Sequence, residues 1–112
     1  METEVSAIAK KMYPQLVAWR QDFHMYPEAG WMEFRTASLV AQELSQLGYK
    51  IRLGREVISE ASRQGVPSAN ELDKAWQQAR KEGAPAEFVE PMKGGFTGVV
   101  GILEGSSPGP TV

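Results

Sequence analysis

The stretch Ala37–Leu53, "ASLVAQELSQLGYKIRL", changes its period partway along. Up to Leu47, the apolar residues Ala37, Val40, Ala41, Leu44 and Leu47 recur with the spacing of one helix face. From Tyr49 onward, Tyr49, Ile51 and Leu53 alternate with Lys50 and Arg52, the period of a half-buried strand with one wet face. Gly48 falls between them, where the end of a helix calls for a left-handed residue. A helix that stops in a glycine and turns directly into an amphipathic strand predicts a mixed αβ fold.

Toward the N-terminus, Val5, Ile8, Met12, Leu16, Trp19 and Phe23 form a stripe in steps of three and four, which predicts an amphipathic helix facing a core. Pro14 interrupts it. Proline cannot donate to the carbonyl four residues back, so the helix is either kinked there or begins again with Pro14 in its first turn. It is expected to end near Met25, because Pro27 biases Tyr26 away from helical geometry.

Toward the C-terminus, Gly54 to Gly95 is polar but carries a helix signal of its own. Ser68 and Glu71 match a capping box, and Leu72, Ala75, Trp76 and Ala79 follow as a narrow stripe before Gly83 and Pro85. Trp76 reads as a packing anchor on a neighbouring element. The final stretch "GGFTGVVGILEGSSPGPTV" reads as a glycine turn, a buried strand over Val99 to Leu103, a tight loop and a second strand opening at Thr111. A strand that has barely begun is the pattern expected if the chain is truncated at Val112.

The bulk properties bound the function. A chain of 112 residues buries roughly 65% of its unfolded surface, enough for a modest core. Hydrophobic content of 42% and charged content of 23% place it among globular rather than disordered chains. The net charge is −2, and Lys and Arg are scattered, which argues against nucleic acid as a partner. The chain holds no cysteine, so it has neither a disulfide framework nor a thiolate metal site. Nothing approaches the length of a membrane span, and "METEVSAIAK" is acidic with no apolar leader core; the expected location is cytoplasmic unless a leader is missing from the sequence.

The stretch "WRQDFHMYPEAG" contains the sole histidine, His24, four residues before Glu28. On a continuous helix the two would share a face and could hold a metal together, but Pro27 breaks that geometry. A zinc or manganese site needs three or four ligands, and this chain would have to complete one from carboxylates such as Asp22, Glu28 and Glu33. A nucleophilic triad finds no strained turn around Ser6, Ser38 or Ser45. The structural reading of His24 is a last-turn residue whose charge or ring donor satisfies a terminal carbonyl. Gly94, Gly95, Gly98 and Gly101 precede a strand instead of following one into a helix, so they do not form a dinucleotide fingerprint, and "KGG" lacks the rest of a phosphate-binding loop.

The blocks "WRQDFHMYPEAGWMEFRTASLVAQELSQLGYKIRLG" and "GGFTGVVGILEGSSPGPTV" resemble the N-terminal region of the metal-dependent amidohydrolases that include hippurate hydrolase, N-acyl amino acid deacylases and indole-acetyl-amino-acid hydrolases. The signature is carried by Arg20, Asp22, His24, Pro27, Glu28 and Glu33 and by the helix ending Leu-Gly-Tyr. The long excursion from "GREVISEASRQGVP" to "GGFTG" resembles that of the aminobenzoyl-glutamate-cleaving branch. The resemblance implies the N-terminal portion, residues 1–112, of a zinc-peptidase-like catalytic domain with a helical insertion at about 55–93. It further implies an enzyme that uses divalent manganese or zinc to cleave the amide of an N-acyl amino acid such as p-aminobenzoyl-glutamate, and that pairs as a homodimer or with a homologous second subunit. The family's metal ligands and catalytic glutamate would follow Val112, so the resemblance assigns no catalytic, cofactor-binding or metal residue here and no metal is expected on this chain alone. His24, Pro27, Glu28, Glu33, Gly95 and Gly98 are its structural or metal-flanking candidates. Replacing His24 is expected to affect stability more than metal affinity. Two functions stand: an enzyme fragment inactive by itself, and an interaction or regulatory module without catalysis. As an isolated fragment the chain leaves an open sheet edge and apolar helix faces uncovered and is expected to be marginally stable or self-associating.

Overall fold

The structure, a computed structural model, describes residues 3–112. Helix α1 spans Glu4–Met25, α2 Phe34–Gln46, strand β1 Lys50–Leu53, α3 Ala69–Lys81, the single turn α4 Ala86–Val89, and strand β2 Val99–Ile102. Short 3-10 turns occupy Gly54–Glu56, Glu60–Ser62 and Glu90–Met92. Met1 and Glu2, which open the acidic N-terminal stretch, lie outside the described residues.

The helix ends follow from local chemistry. Thr3 Oγ1 accepts the Ser6 N–H at 3.1 Å and starts α1. Helix α1 then runs through Pro14 as one element and stops at Met25. Helix α2 closes on Gly48 at φ +91°, with the Tyr49 N–H on Leu44 O and the Gly48 N–H on Ser45 O, both at 3.0 Å. These paired bonds are a Schellman closure, which needs the left-handed backbone that glycine adopts without a steric penalty. Helix α3 ends the same way at Gly83, where the Ala84 N–H reaches Ala79 O at 2.9 Å. At its start the Ser68–Glu71 capping box is complete in both directions. The Ser68 backbone N–H, then its hydroxyl, hold the Glu71 carboxyl below its usual range.

The core lies between α2 and the helical segment that follows β1. Phe34, Ala37, Leu72, Trp76, Ala79, Ala84, Val89 and Met92 form one buried cluster, with Leu53 and Val99 of the sheet packed against it. Trp76 fills the anchoring role read from its stripe: it is buried, and its Nε1–H donates to Val89 O at 2.9 Å, tying α3 to α4. Gly54, at φ +62°, passes so close to the 3-10 turn before Lys93 that a Cβ there would lie 2.4 Å from Pro91 O.

Strands β1 and β2 pair antiparallel, Lys50 opposite Ile102 and Leu53 opposite Val99, in a two-stranded sheet. As the alternation predicts, Ile51 and Leu53 are half-buried and Lys50 and Arg52 exposed. Two expectations fail. Val99 to Leu103 is not a buried strand, since Val100 is 43% and Leu103 60% exposed, and no second strand opens at Thr111. A continuous apolar run is the pattern of a strand covered on both faces, and here α2 covers only one. Helix α1 likewise contributes no buried residue: Val5, Ile8, Met12 and Leu16 of its stripe are all exposed. A stripe fixes which face of a helix is apolar, whereas what lies against that face depends on the rest of the fold. Among the described residues, no helix is long and apolar enough to cross a membrane.

Candidate functional site

The signature residues gather where the last turn of α1, the "PEAG" turn and the first turn of α2 meet. Both oxygens of Glu28 accept backbone N–H groups at 2.8 Å, one from Arg35 and one from Thr36. Glu33 occupies the N-cap position of α2 but does not cap it with its side chain. Glu28 therefore caps the helix from outside its own sequence, satisfying two amides that would otherwise lack partners and placing a negative charge at the positive end of the helix dipole. Glu33 is turned instead toward the far end of the chain, where the Thr97 hydroxyl donates to its Oε2 at 3.0 Å.

Arg35 is the centre of this junction. Its Nη1 and Nη2 donate to the two oxygens of Asp22 at 2.8 and 2.9 Å, its Nε donates to Glu82 O at 2.9 Å, and its guanidinium stacks 4.1 Å from the Tyr26 ring centroid. One buried side chain thus joins α1, α2 and the end of α3 through a planar two-point contact. The hydrogen bonds from Arg35 hold the Asp22 carboxyl below its usual range against an opposing effect of burial, and Asp22 in turn raises Arg35.

His24 is not part of the cluster. It lies in the last turn of α1 as read from the sequence, but it is exposed, and its ring forms no hydrogen bond to a terminal carbonyl or to any other group among the described residues. The last turn of α1 closes through the backbone, the Tyr26 N–H bonding to Asp22 O at 3.3 Å. Replacing His24 by Ala is accordingly expected to change the unfolding free energy by less than about 0.5 kcal/mol, as at other exposed positions, which chemical denaturation would measure. Pro27 is exposed in the turn. Gly95 is buried against Leu72 and Trp31, and Gly98 packs on Val57 and Ile58 while its carbonyl accepts the Gly54 N–H at 3.4 Å.

The residues present do not fit a metal. Both Glu28 oxygens and one Glu33 oxygen are committed to hydrogen bonds, Asp22 is held by Arg35, and His24 stands apart on the surface. Among the described residues, no three His, Cys, Asp or Glu side chains converge to hold an ion. Arg35 and Thr97 lie within the resembling blocks but outside the signature residues. Arg35 carries a legible signal, since a cation in the first turn of a helix opposes the dipole and requires compensating anions. Thr97 carries none, because its partner lies 64 residues away.

The fold and this junction define a segment of a hydrolase-like αβ domain, mixed helix with a small two-stranded sheet. No family model matches the chain. It is 47% identical over 108 residues to one of the subunits of p-aminobenzoyl-glutamate hydrolase from Escherichia coli, covering 96% of this chain and 25% of that protein. It is 47% identical over 103 residues to indole-3-acetyl-aspartic acid hydrolase of Enterobacter agglomerans, covering 92% of this chain and 24% of that protein. The crystal structure of the aminobenzoyl-glutamate utilization protein from Klebsiella pneumoniae superposes with a TM-score of 0.92 at 44% identity, covering 96% of this chain and 28% of that one. The resemblance to these hydrolases is thereby shown, and the chain spans about a quarter of the length of the curated relatives it matches.

Proposed function

We propose that the chain is the leading part of the catalytic domain of a metal-dependent amidohydrolase that cleaves N-acyl amino acids, with p-aminobenzoyl-glutamate as the favoured substrate and residues of about 55–93 as a helical insertion. The observation that carries this reading is the pairing of high identity with structural commitment. The chain is 47% identical to part of a hydrolase, yet its signature carboxylates are spent on capping and bridging the fold. Divalent manganese or zinc, which would supply the Lewis acid for such a reaction, is assigned to residues beyond these 112. The chain's own part is to hold α1, α2 and the start of β2 in a fixed relation. A cytoplasmic location and assembly either with a homologous second subunit or as a homodimer complete the proposal. The Escherichia coli relative is named as a subunit, and a further relative from Haemophilus influenzae is named as its homologue, which supports the pairing with a second subunit.

The test compares the 112-residue chain with the longest reading frame that contains it, each loaded with manganese or zinc, in an assay for release of p-aminobenzoate. Turnover by the longer chain alone is the expected result. Turnover by the short chain would overturn its scaffold role, and inactivity of both on several N-acyl amino acids would overturn the enzyme reading. The exposed stripe Val5, Ile8, Met12 and Leu16 favours a second reading, an interaction module without catalysis. Stable capture of a partner that does not cleave amides would support it.

A further inference from the structure

Three cations of the segment between β1 and β2, Arg55, Arg63 and Lys93, gather around one pocket. Phe96 is buried, and the guanidinium groups of Arg55 and Arg63 each lie 4.1 Å from its ring centroid. Lys93 Nζ stands 4.8 Å from the Trp76 ring. All three cations line one pocket of about 380 Å³, whose apolar wall is formed by Val66, Leu72 and Phe96. Two guanidinium groups on one ring repel each other unless an anion offsets them.

The anion present is Glu60. Its Oε2 is 2.7 Å from Arg55 Nη1, while its Oε1 is 3.8 Å from Arg63 Nη2, beyond hydrogen-bonding distance. Arg63 is thus poorly served. Its side chain is only 11% exposed, its Nη1 donates to Gly94 O at 2.8 Å, and its Nε is buried with no partner among the described residues. An enclosed guanidinium with so few bonds is unfavourable unless another acceptor arrives. Glu60 is itself 62% exposed and sits on a single 3-10 turn, so it can be displaced at little cost.

We infer that this pocket binds the carboxylate of a small organic acid with an apolar body, and that Glu60 is an internal stand-in which the ligand displaces. Arg55, Arg63 and Lys93 set against Glu60 and Asp73 leave one net positive charge around the pocket, which matches a monocarboxylate better than a phosphate dianion. A guanidinium fork also matches the planar carboxylate, and the apolar wall matches a hydrocarbon body. The site stands on the geometry of this chain and does not depend on the proposed hydrolysis.

Benzoate is the probe, titrated into the isotopically labelled chain while the amide signals of Gly94, Gly95 and Phe96 are followed by NMR. Saturable shifts are expected with benzoate and not with benzamide, its uncharged counterpart. Glu60→Gln, an exposed change that leaves the fold intact, is expected to tighten binding by about two- to fivefold, the scale of an exposed ion pair. Arg55→Gln is expected to weaken it, and Arg63→Met to weaken it by at least about tenfold, as for loss of a charge-assisted bond. Equal binding of benzamide would reduce the pocket to an apolar cleft, and tighter binding of inorganic phosphate would make it a general anion patch; each overturns the inference. Absence of saturable shifts in both the unaltered chain and Glu60→Gln would overturn it as well.

Discussion

Replacing Trp76 by Ala is expected to lower the unfolding free energy by about 3–5 kcal/mol, the range for emptying a large aromatic site. Trp76 is 3% exposed at the centre of the cluster that joins α2 to α3 and α4. Its removal also leaves Val89 O without the Nε1–H donor it has at 2.9 Å. Arg80 and Lys93 lose the ring they approach at 4.7 and 4.8 Å. Against a total of about 5–15 kcal/mol for an ordinary domain, such a loss would leave the chain at the edge of folding. Trp76→Phe separates the two effects: it keeps most of the apolar volume but orphans the carbonyl, for an expected loss of about 1–3 kcal/mol. Urea denaturation followed by far-ultraviolet circular dichroism measures both. A Trp76→Ala chain that loses less than about 1 kcal/mol would mean that this cluster is not the core.

The second prediction concerns Asp22 and Arg35. Asp22→Asn leaves the Arg35 guanidinium, whose side chain is 9% exposed, without its charged partner. Breaking an enclosed pair in this way carries a penalty of about 3–5 kcal/mol when both groups are fully buried. Asp22 is 39% exposed, so solvent reduces the value to about 1–2 kcal/mol at neutral pH. The pH dependence identifies the cause. Arg35 lowers the folded-state pKa of Asp22, so the stability contributed by Asp22 is present above its unfolded pKa of about 3.9 and is lost as pH falls through the lower folded value. The gap between the original chain and Asp22→Asn should therefore be constant near neutrality and close below about pH 4. A gap that persists at low pH would mean that shape, not charge, makes the contact. Arg35→Met should destabilise at all pH values above that point and additionally loosen α3, because the bond to Glu82 O is lost.

The features legible in the sequence rest on short-range chemistry. The stop at Gly48, the Ser68–Glu71 box and the alternation of Ile51 and Leu53 each involve residues two to four positions apart, where sequence spacing is spatial spacing. The junction is harder to read. Its members are visible as the signature Asp22, Glu28 and Glu33, but their jobs are not, because Glu28 caps a helix whose amides belong to Arg35 and Thr36, and Glu33 meets Thr97 across the whole fold. The cation pocket is invisible in sequence, since Arg55, Arg63, Lys93 and Phe96 share no periodicity and converge only when β1 and β2 pair.

By itself the sequence determined the αβ class, the ends of α1 and α2, and the alternation of β1. It also carried the resemblance to hydrolases, one of which is 47% identical over 108 residues. Only the tertiary structure decided which apolar face is covered. Val5, Ile8, Met12 and Leu16 of the α1 stripe stay exposed while the narrower stripe of α3 is buried against α2. The reason is physical: periodicity fixes the direction in which side chains point, but burial requires a second surface, and which surfaces meet is set by long-range packing and by single side chains such as Arg35 that bind distant backbones together.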